Sequence, residues 1–219
     1  MKPFFDRDGI ETVMLDMDGT ILDLHFDDHF WREVIPMTYA ERNEKRLADA
    51  IEELTPEFVS RQGTLDWYCL DFWSDLLKFN VAELKLEYRD LIRYLPRAKD
   101  FLAAVRDSGR RLLLVTNSHP EAMRIKFERT QLDQHFDDIY TSHHFGYPKE
   151  NQEFWRRLKQ AEDFDPNSTL FVDDSEAVLH AAKRFGIREV VAIARPDTTA
   201  QRRDIAGFAS VDYLHELLG

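Results

Sequence analysis

A chain of 219 residues, 43% hydrophobic and 32% charged, has the composition of a soluble globular protein with one sizeable core and room for a small insert. Its net charge of −12 excludes the basic footprint that a nucleic-acid polymer requires, while leaving open a small anion held in a local cationic pocket. The single cysteine, Cys69, forms no internal disulfide, and no apolar run reaches membrane-spanning length, so the expectation is a cytoplasmic protein with no membrane partner.

Residues 1–9 are polar, carry early acids and no long apolar run, and read as a loose arm rather than a signal peptide. Val13-Met14-Leu15 then reads as a buried strand that ends in a tight turn, Asp16-Met17-Asp18-Gly19-Thr20. Gly19 can take backbone angles closed to other residues and leaves room for a phosphate or a metal beside the chain. From Asp23 to Leu95 the pattern turns helical: Glu41 to Leu54, a start at Thr55-Pro56-Glu57, Leu65 to Phe79, and Val81 to Tyr94. This stretch reads as a helical cap, 23–95, inserted into a core made of 1–22 and 96–219.

Past Pro96 the rhythm alternates. Pro96 to Ser108 reads as a helix closed by Gly109, and Leu112 to Val115 as a second buried strand ending in Thr116-Asn117-Ser118. Pro120 to Thr130 is helical, Ile139 to Thr141 a short strand, and His143 to Lys149 a loop. Asn151 to Ala161 is helical. Thr169 to Val172 is a third buried strand ending in Asp173-Asp174-Ser175. Glu176 to Phe185 is a helix, Val190 to Ala194 a strand, and the tail holds short helices near Asp212 to Leu218. Such alternation predicts an α/β fold: a Rossmann-like, doubly wound parallel sheet, with the small helical cap following the first strand.

Three strands end in polar clusters, and in a doubly wound sheet such ends converge on one crevice. Asp16 and Asp18, Thr116 and Asn117, and Asp173 and Asp174 would meet there, with Lys149 in a nearby loop. Carboxylates gathered at one point repel unless a cation intervenes, and oxygen-only ligands favour Mg²⁺. A carboxylate can attack phosphorus, and the second acid of D-x-D is placed to protonate the leaving alcohol and then activate water. Thr116, local backbone N–H groups and Lys149 would bind the phosphoryl oxygens. These parts together specify metal-assisted phosphoryl transfer to water.

DMDGT, the strand LLLVTN, the lysine of GYPKE and the acidic pair of LFVDDS resemble, in order and spacing, the four motifs of the haloacid dehalogenase superfamily. The resemblance implies Asp16 as nucleophile and metal ligand, and Asp18 as general acid and base whose backbone carbonyl also binds the metal. It implies Thr116 as phosphoryl binder, with Gly19 and Asn117 lining the phosphate site, and Lys149 as the cation steadying nucleophile and phosphate. Asp174 matches the acid that binds Mg²⁺ directly, with Asp173 beside it, and the insert matches a cap that excludes water. Val178 stands where many members carry one more acid.

LDMDGTILDLHFDDHFW, TLDWYCLDFW, HHFGYPKE and LFVDDSEAVL are similar to the bacterial GMP/IMP nucleotidase branch, which implies a purine mononucleotide as the small phosphorylated substrate. A sugar phosphate is the alternative substrate, and phosphotransferase, mutase and non-catalytic scaffold are further alternatives; a dehalogenase is disfavoured by Asp18. In the cap, Phe26, Trp31, Trp67, Tyr68, Phe72 and Trp73 either stack on a base or form the cap's own core, with Trp67 and Tyr68 the candidates for substrate contact. Asp27, Asp28, Asp66 and Asp71 read as solvated charges, Cys69 as a buried inert thiol, and His143 and His144 as polar loop residues; His119, toward the solvent side of its turn, stays unassigned. Oligomeric state is not encoded in any of these patterns.

Overall fold

The computed structural model describes residues 9–219, and the arm expected over 1–8 lies outside them. The chain opens with β1 (Thr12–Leu15) and passes into an insert of short helices: α1 (His25–His29), α2 (Ile35–Arg42), α3 (Leu47–Arg61), α4 (Leu65–Tyr68), α5 (Leu70–Leu77) and α6 (Val81–Glu87). It continues as α7 (Ala98–Asp107), β2 (Arg111–Thr116), α8 (Pro120–Thr130), β3 (Asp138–Thr141), α9 (Ser142–Phe145) and α10 (Gln152–Ala161). The last elements are β4 (Thr169–Asp173), α11 (Glu176–Phe185), β5 (Glu189–Ile193), β6 (Ala209–Val211) and a closing 3-10 helix over Leu214–Leu218, where the sequence predicts a short tail helix.

The sheet has six strands in the order β3-β2-β1-β4-β5-β6, and every pairing is parallel. Side chains of a strand alternate between faces, and the strands here are apolar on both. Val13, Leu15, Leu112, Leu114, Leu170 and Val172 pack on one face with Phe101 and Leu102 of α7 and Ile125 of α8. Met14, Leu113, Val115 and Phe171 pack on the other with Phe154, Trp155 and Leu158 of α10 and Leu179 and Ala182 of α11. The continuous apolar runs of the sequence thus mark strands buried from both sides.

The insert has its own apolar centre, built from Phe30, Ile35, Leu54, Leu70, Trp73 and Leu77 among others. The segments that enter and leave it lie side by side: Asp23 N–H donates to Arg93 O at 2.9 Å and Leu95 N–H to Ile21 O at 2.9 Å. Among the described residues no helix is long and apolar enough to cross a membrane.

Several helix limits differ from those expected. The Glu41–Leu54 helix is split by a left-handed Glu44, with φ 53°, which separates α2 from α3. Pro56 does not begin a helix but lies inside α3, where its missing N–H falls on an exposed face and water can take the freed carbonyl. Cys69, in extended conformation, divides α4 from α5. The expected loop after β3 begins as the short helix α9, and the tail contributes the edge strand β6.

Candidate active site

The three central strands end together, as the doubly wound topology requires. Past β1, Asp16 N–H donates to Val172 O at 3.0 Å, so the parallel pairing carries Asp16 to the sheet edge beside Asp173. The turn that follows needs a glycine. Gly19 has φ 80°, and a Cβ there would meet Asp174 Cγ at 2.7 Å and Pro196 Cβ at 2.9 Å. That close approach brings Asp174 against the turn bearing Asp16 and Asp18.

Lys149 is 2% exposed and joins the two sides of this edge. Its Nζ lies 2.5 Å from Asp16 Oδ1 and 2.7 Å from Asp173 Oδ2, and donates to Val115 O at 3.0 Å. Its backbone is fixed too: Lys149 N–H donates to Asn117 Oδ1 at 2.8 Å, and Trp155 Nε1 donates to Lys149 O at 2.7 Å. Thr116 is buried at the end of β2, where its Oγ1 accepts from Ser118 N–H at 3.0 Å. Asn117 therefore serves as a strut for the lysine loop, and its Nδ2 donates to Glu150 Oε2 at 3.0 Å.

Asp16, Asp173 and Asp174 each present a carboxylate oxygen within 4.8 Å of the others. Burial pushes the Asp16 carboxyl up to about 7 against the pull of Lys149, with Asp173 and Asp18 adding to the rise. Burial and then the Asp16 charge raise Asp174 to about 7, and burial raises Asp173 to about 6. Burial disfavours the Lys149 charge, but Asp16 and Asp173 outweigh it and hold the ammonium above its ordinary range. Three acids against two cations, Lys149 and Arg203, leave negative charge in excess, and an all-oxygen donor set of this size fits a hard divalent cation such as Mg²⁺. Asp174 also meets Arg203, whose Nη1 donates to Oδ2 at 3.0 Å, a partner not evident in the sequence.

Asp18 looks the other way. Its Oδ1 lies 2.7 Å from Lys126 Nζ of α8, and the same Nζ donates to Asp27 Oδ2 at 2.7 Å. Lys85 of α6 donates to Asp27 Oδ1 at 2.6 Å, its ammonium packed against the Phe26 and Phe30 rings. Burial raises the Asp18 carboxyl and Lys126 opposes the rise. Asp27 is thus no solvated charge: its side chain is 18% exposed and clamped between two buried lysines.

A cavity of about 420 Å³ joins this polar floor to the insert. Trp31, Phe58, Trp67 and Tyr68 line its far wall, while Phe26 and Phe72 do not border it. Trp73 is almost wholly buried and donates Nε1 to Trp67 O at 2.9 Å, so it is both insert core and backing for the wall. Tyr68 reaches the core: its hydroxyl donates to Glu150 Oε1 at 2.7 Å. Burial, then the Glu150 charge, push that phenol well above its usual range.

His119 is 8% exposed, not on the solvent side, and caps α8. Cys69 is half-buried rather than buried, and its Sγ accepts from Phe72 N–H at 3.5 Å. His143 packs edge-on to His119, and burial followed by the neighbouring His119 lowers it to about 4. Lys85, Lys126, Glu150 and Arg203 had no signal as site residues. The available hint was that Lys126 follows Met123 by one helical turn and shares its inward side.

The sequence pattern of the haloacid dehalogenase-like hydrolases matches residues 10–186. The chain belongs to this family. The GMP/IMP nucleotidase YrfG of Escherichia coli is 40% identical over 189 residues, covering 86% of this chain and 85% of that protein. Among solved structures, a phosphatase of the superfamily from Thermococcus onnurineus superposes with a TM-score of 0.77 at 24% identity, covering 95% of this chain and 96% of its own. The L-2-haloacid dehalogenase of Xanthobacter autotrophicus superposes with a TM-score of 0.64 at 18% identity, covering 95% of this chain and 97% of its own. At these identities the two structures speak for the shared fold, and the chemistry rests on this chain's own residues.

Proposed function

We propose that this haloacid dehalogenase-like hydrolase is a Mg²⁺-dependent 5′-nucleotidase that removes the phosphate of purine mononucleotides through an aspartyl-phosphate on Asp16. The observation that carries the reading is one cavity with two unlike ends. Its floor holds Asp16 against Lys149 beside Asp173 and Asp174, and its wall is an aromatic surface on the insert. A volume of about 420 Å³ lies in the range that encloses a small ligand. The 40% identity to a GMP/IMP nucleotidase extends over the insert as well as the core and supports a purine base on that wall.

In this reading the insert, 23–95, acts as the cap and the core, 1–22 with 96–219, as the catalytic body. Lys149 fixes the orientation of the Asp16 carboxylate, and Thr116 with the N–H groups near Asn117 and Gly19 receives the phosphoryl oxygens. Asp16 attacks phosphorus, the bond to the ester oxygen breaks, and Asp18 delivers the proton that the leaving nucleoside takes up. Asp18 then takes a proton from water as the water attacks the same phosphorus. The bond from phosphorus to Asp16 breaks, restoring the carboxylate and releasing inorganic phosphate. Asp16 and Asp174, with Asp173 and the Asp18 carbonyl, would hold Mg²⁺, which supplies charge neutralisation for the phosphoryl group when bound. The aromatic wall excludes water from the cavity and orients the base.

The deciding experiment is phosphate release from GMP, IMP, AMP, UMP, sugar phosphates and an aryl phosphate, each with Mg²⁺ and with EDTA. The expected result is Mg²⁺-dependent turnover with GMP and IMP preferred. Equal turnover of all substrates removes the purine assignment and leaves a general phosphatase. No release from a folded protein overturns the hydrolytic reading.

A further inference from the structure

A second group of side chains of the types that ligate metals lies at the seam between insert and core, and the phosphate chemistry does not use it. Cys69, His119 and His143 each offer one ligand atom, and the three atoms lie within 4.8 Å of one another. The two imidazoles stand edge to face, 4.8 Å between centroids and 85° between planes. Among the described residues, His143 Nε2 is buried and has no hydrogen-bond partner. We propose that Cys69, His119 and His143 form a binding site for a borderline-soft divalent ion of the Zn²⁺ class, which pins the insert onto the core.

The proton positions favour a lone pair on His143 Nε2. Its Nδ1 faces the Ser142 hydroxyl at 3.3 Å and the Thr141 hydroxyl at 3.5 Å. Those hydroxyls send their own protons to Asn117 O and Ser118 O, so Nδ1 is the nitrogen that carries hydrogen. His119 Nδ1 accepts from Glu121 N–H at 3.3 Å, and its Nε2 faces Asp71 Oδ2 at 3.6 Å. Ligation through His119 Nε2 moves its proton to Nδ1 and gives up that one long contact. Asp71, whose side chain is 84% exposed, is free to swing in as a fourth ligand.

One thiolate and two imidazoles make a donor set that selects Zn²⁺ over Mg²⁺, whereas the three acids on the cavity floor select the reverse. On ligation Cys69 releases its thiol proton to solvent, so affinity rises with pH. Cys69 stands between α4 and α5 in the insert, His119 caps α8 behind β2, and His143 lies in α9 behind β3. An ion shared by the three ties the insert to two core elements beside Asn117 and Ser118, and so holds the cavity shut.

The test is optical and independent of turnover. The full chain, saturated with Mg²⁺ to occupy the carboxylate site, is titrated with Co²⁺ as the probe metal. The expected result is a near-ultraviolet thiolate-to-cobalt band that saturates at one equivalent and is bleached by one equivalent of Zn²⁺. Cys69 is the only thiol in the chain, so the band has one possible origin. C69S is expected to lose the band, and H143Q to weaken Zn²⁺ binding at least ~10-fold. Absence of the band in the wild type, or its persistence in C69S, overturns the proposal. Since neither signal uses a substrate, both remain readable if the nucleotidase reading fails.

Discussion

Lys126 Nζ lies 2.7 Å from Asp18 Oδ1 and 2.7 Å from Asp27 Oδ2, so one buried ammonium is shared by a D-x-D acid and an acid of the insert. Burial alone favours protonated Asp18, and Lys126 is the nearest charge opposing it. K126M is expected to lower kcat by about 100-fold, within the range of general acid–base effects. It should also cost about 3 kcal/mol of stability, because it leaves buried carboxylates short of a partner. Phosphate release and urea unfolding measure the two effects, and an unchanged kcat would separate Lys126 from the chemistry of Asp18.

Asp27 gives a pH dependence of defined sign. Burial raises its carboxyl, but Lys126 and Lys85 outweigh burial and hold it well below the ordinary 3.8. The stabilisation is therefore complete above pH 3.8 and is lost as the pH falls further. D27N should be less stable than the wild type by about 3–5 kcal/mol at neutral pH, since two buried lysines lose their shared anion. Urea unfolding repeated toward about pH 3 should show the two proteins converging. A gap that stays constant would mean Asp27 acts through packing alone.

D16N is expected to abolish turnover without unfolding the chain. Lys149 would keep Asp173 at 2.7 Å and Val115 O at 3.0 Å, so the lysine stays seated. Circular dichroism should match the wild type while phosphate release falls to background. Near-normal release would exclude Asp16 as the nucleophile.

The two candidate cap residues should separate kinetically. Y68F removes the hydroxyl that reaches Glu150 at 2.7 Å, a bond between insert and core rather than to a base. Its KM should rise about 5-fold for GMP and for an aryl phosphate alike, the equivalent of one hydrogen bond. W67A removes part of the cavity wall and should raise KM for GMP more than for the aryl phosphate. Matching effects in W67A would confine Trp67 to the insert core it shares with Phe58 and Trp73.

Chelation gives the simplest reading of the floor. EDTA should abolish phosphate release and excess Mg²⁺ should restore it, because Asp16, Asp173 and Asp174 outnumber the two cations, Lys149 and Arg203, that face them. Activity that survives thorough chelation would count against metal dependence.

The sheet was legible because β1, β2 and β4 are apolar on both faces and stop at polar residues. The edge strand β6 was not, since Ala209-Ser210-Val211 is short and half-buried and leaves no run to read. Asp16, Asp173 and Asp174 could be brought to one edge from strand order because parallel strands bring their ends together, whereas Lys149 lies in the loop between α9 and α10 and was tied to Asp16 only by the family resemblance. Lys85 and Lys126 could not: their partner Asp27 lies 58 and 99 residues away, and only the folded insert makes them neighbours. The same holds for Tyr68 and Glu150, 82 residues apart. Local pattern also missed the turn at Glu44, which takes a left-handed conformation with no glycine to announce it.

The paired segments at Asp23–Arg93 and Ile21–Leu95 make the insert a cassette whose two ends meet at a single point of the core. Exchanging such a cassette leaves strand order and core packing unchanged, so recognition and chemistry can diversify separately. Here that freedom has one condition. Asp27 comes from the insert and is the anion shared by Lys85 of the insert and Lys126 of the core, so a transplanted cassette must bring an anion to that spot or leave the buried Lys126 dependent on Asp18 alone.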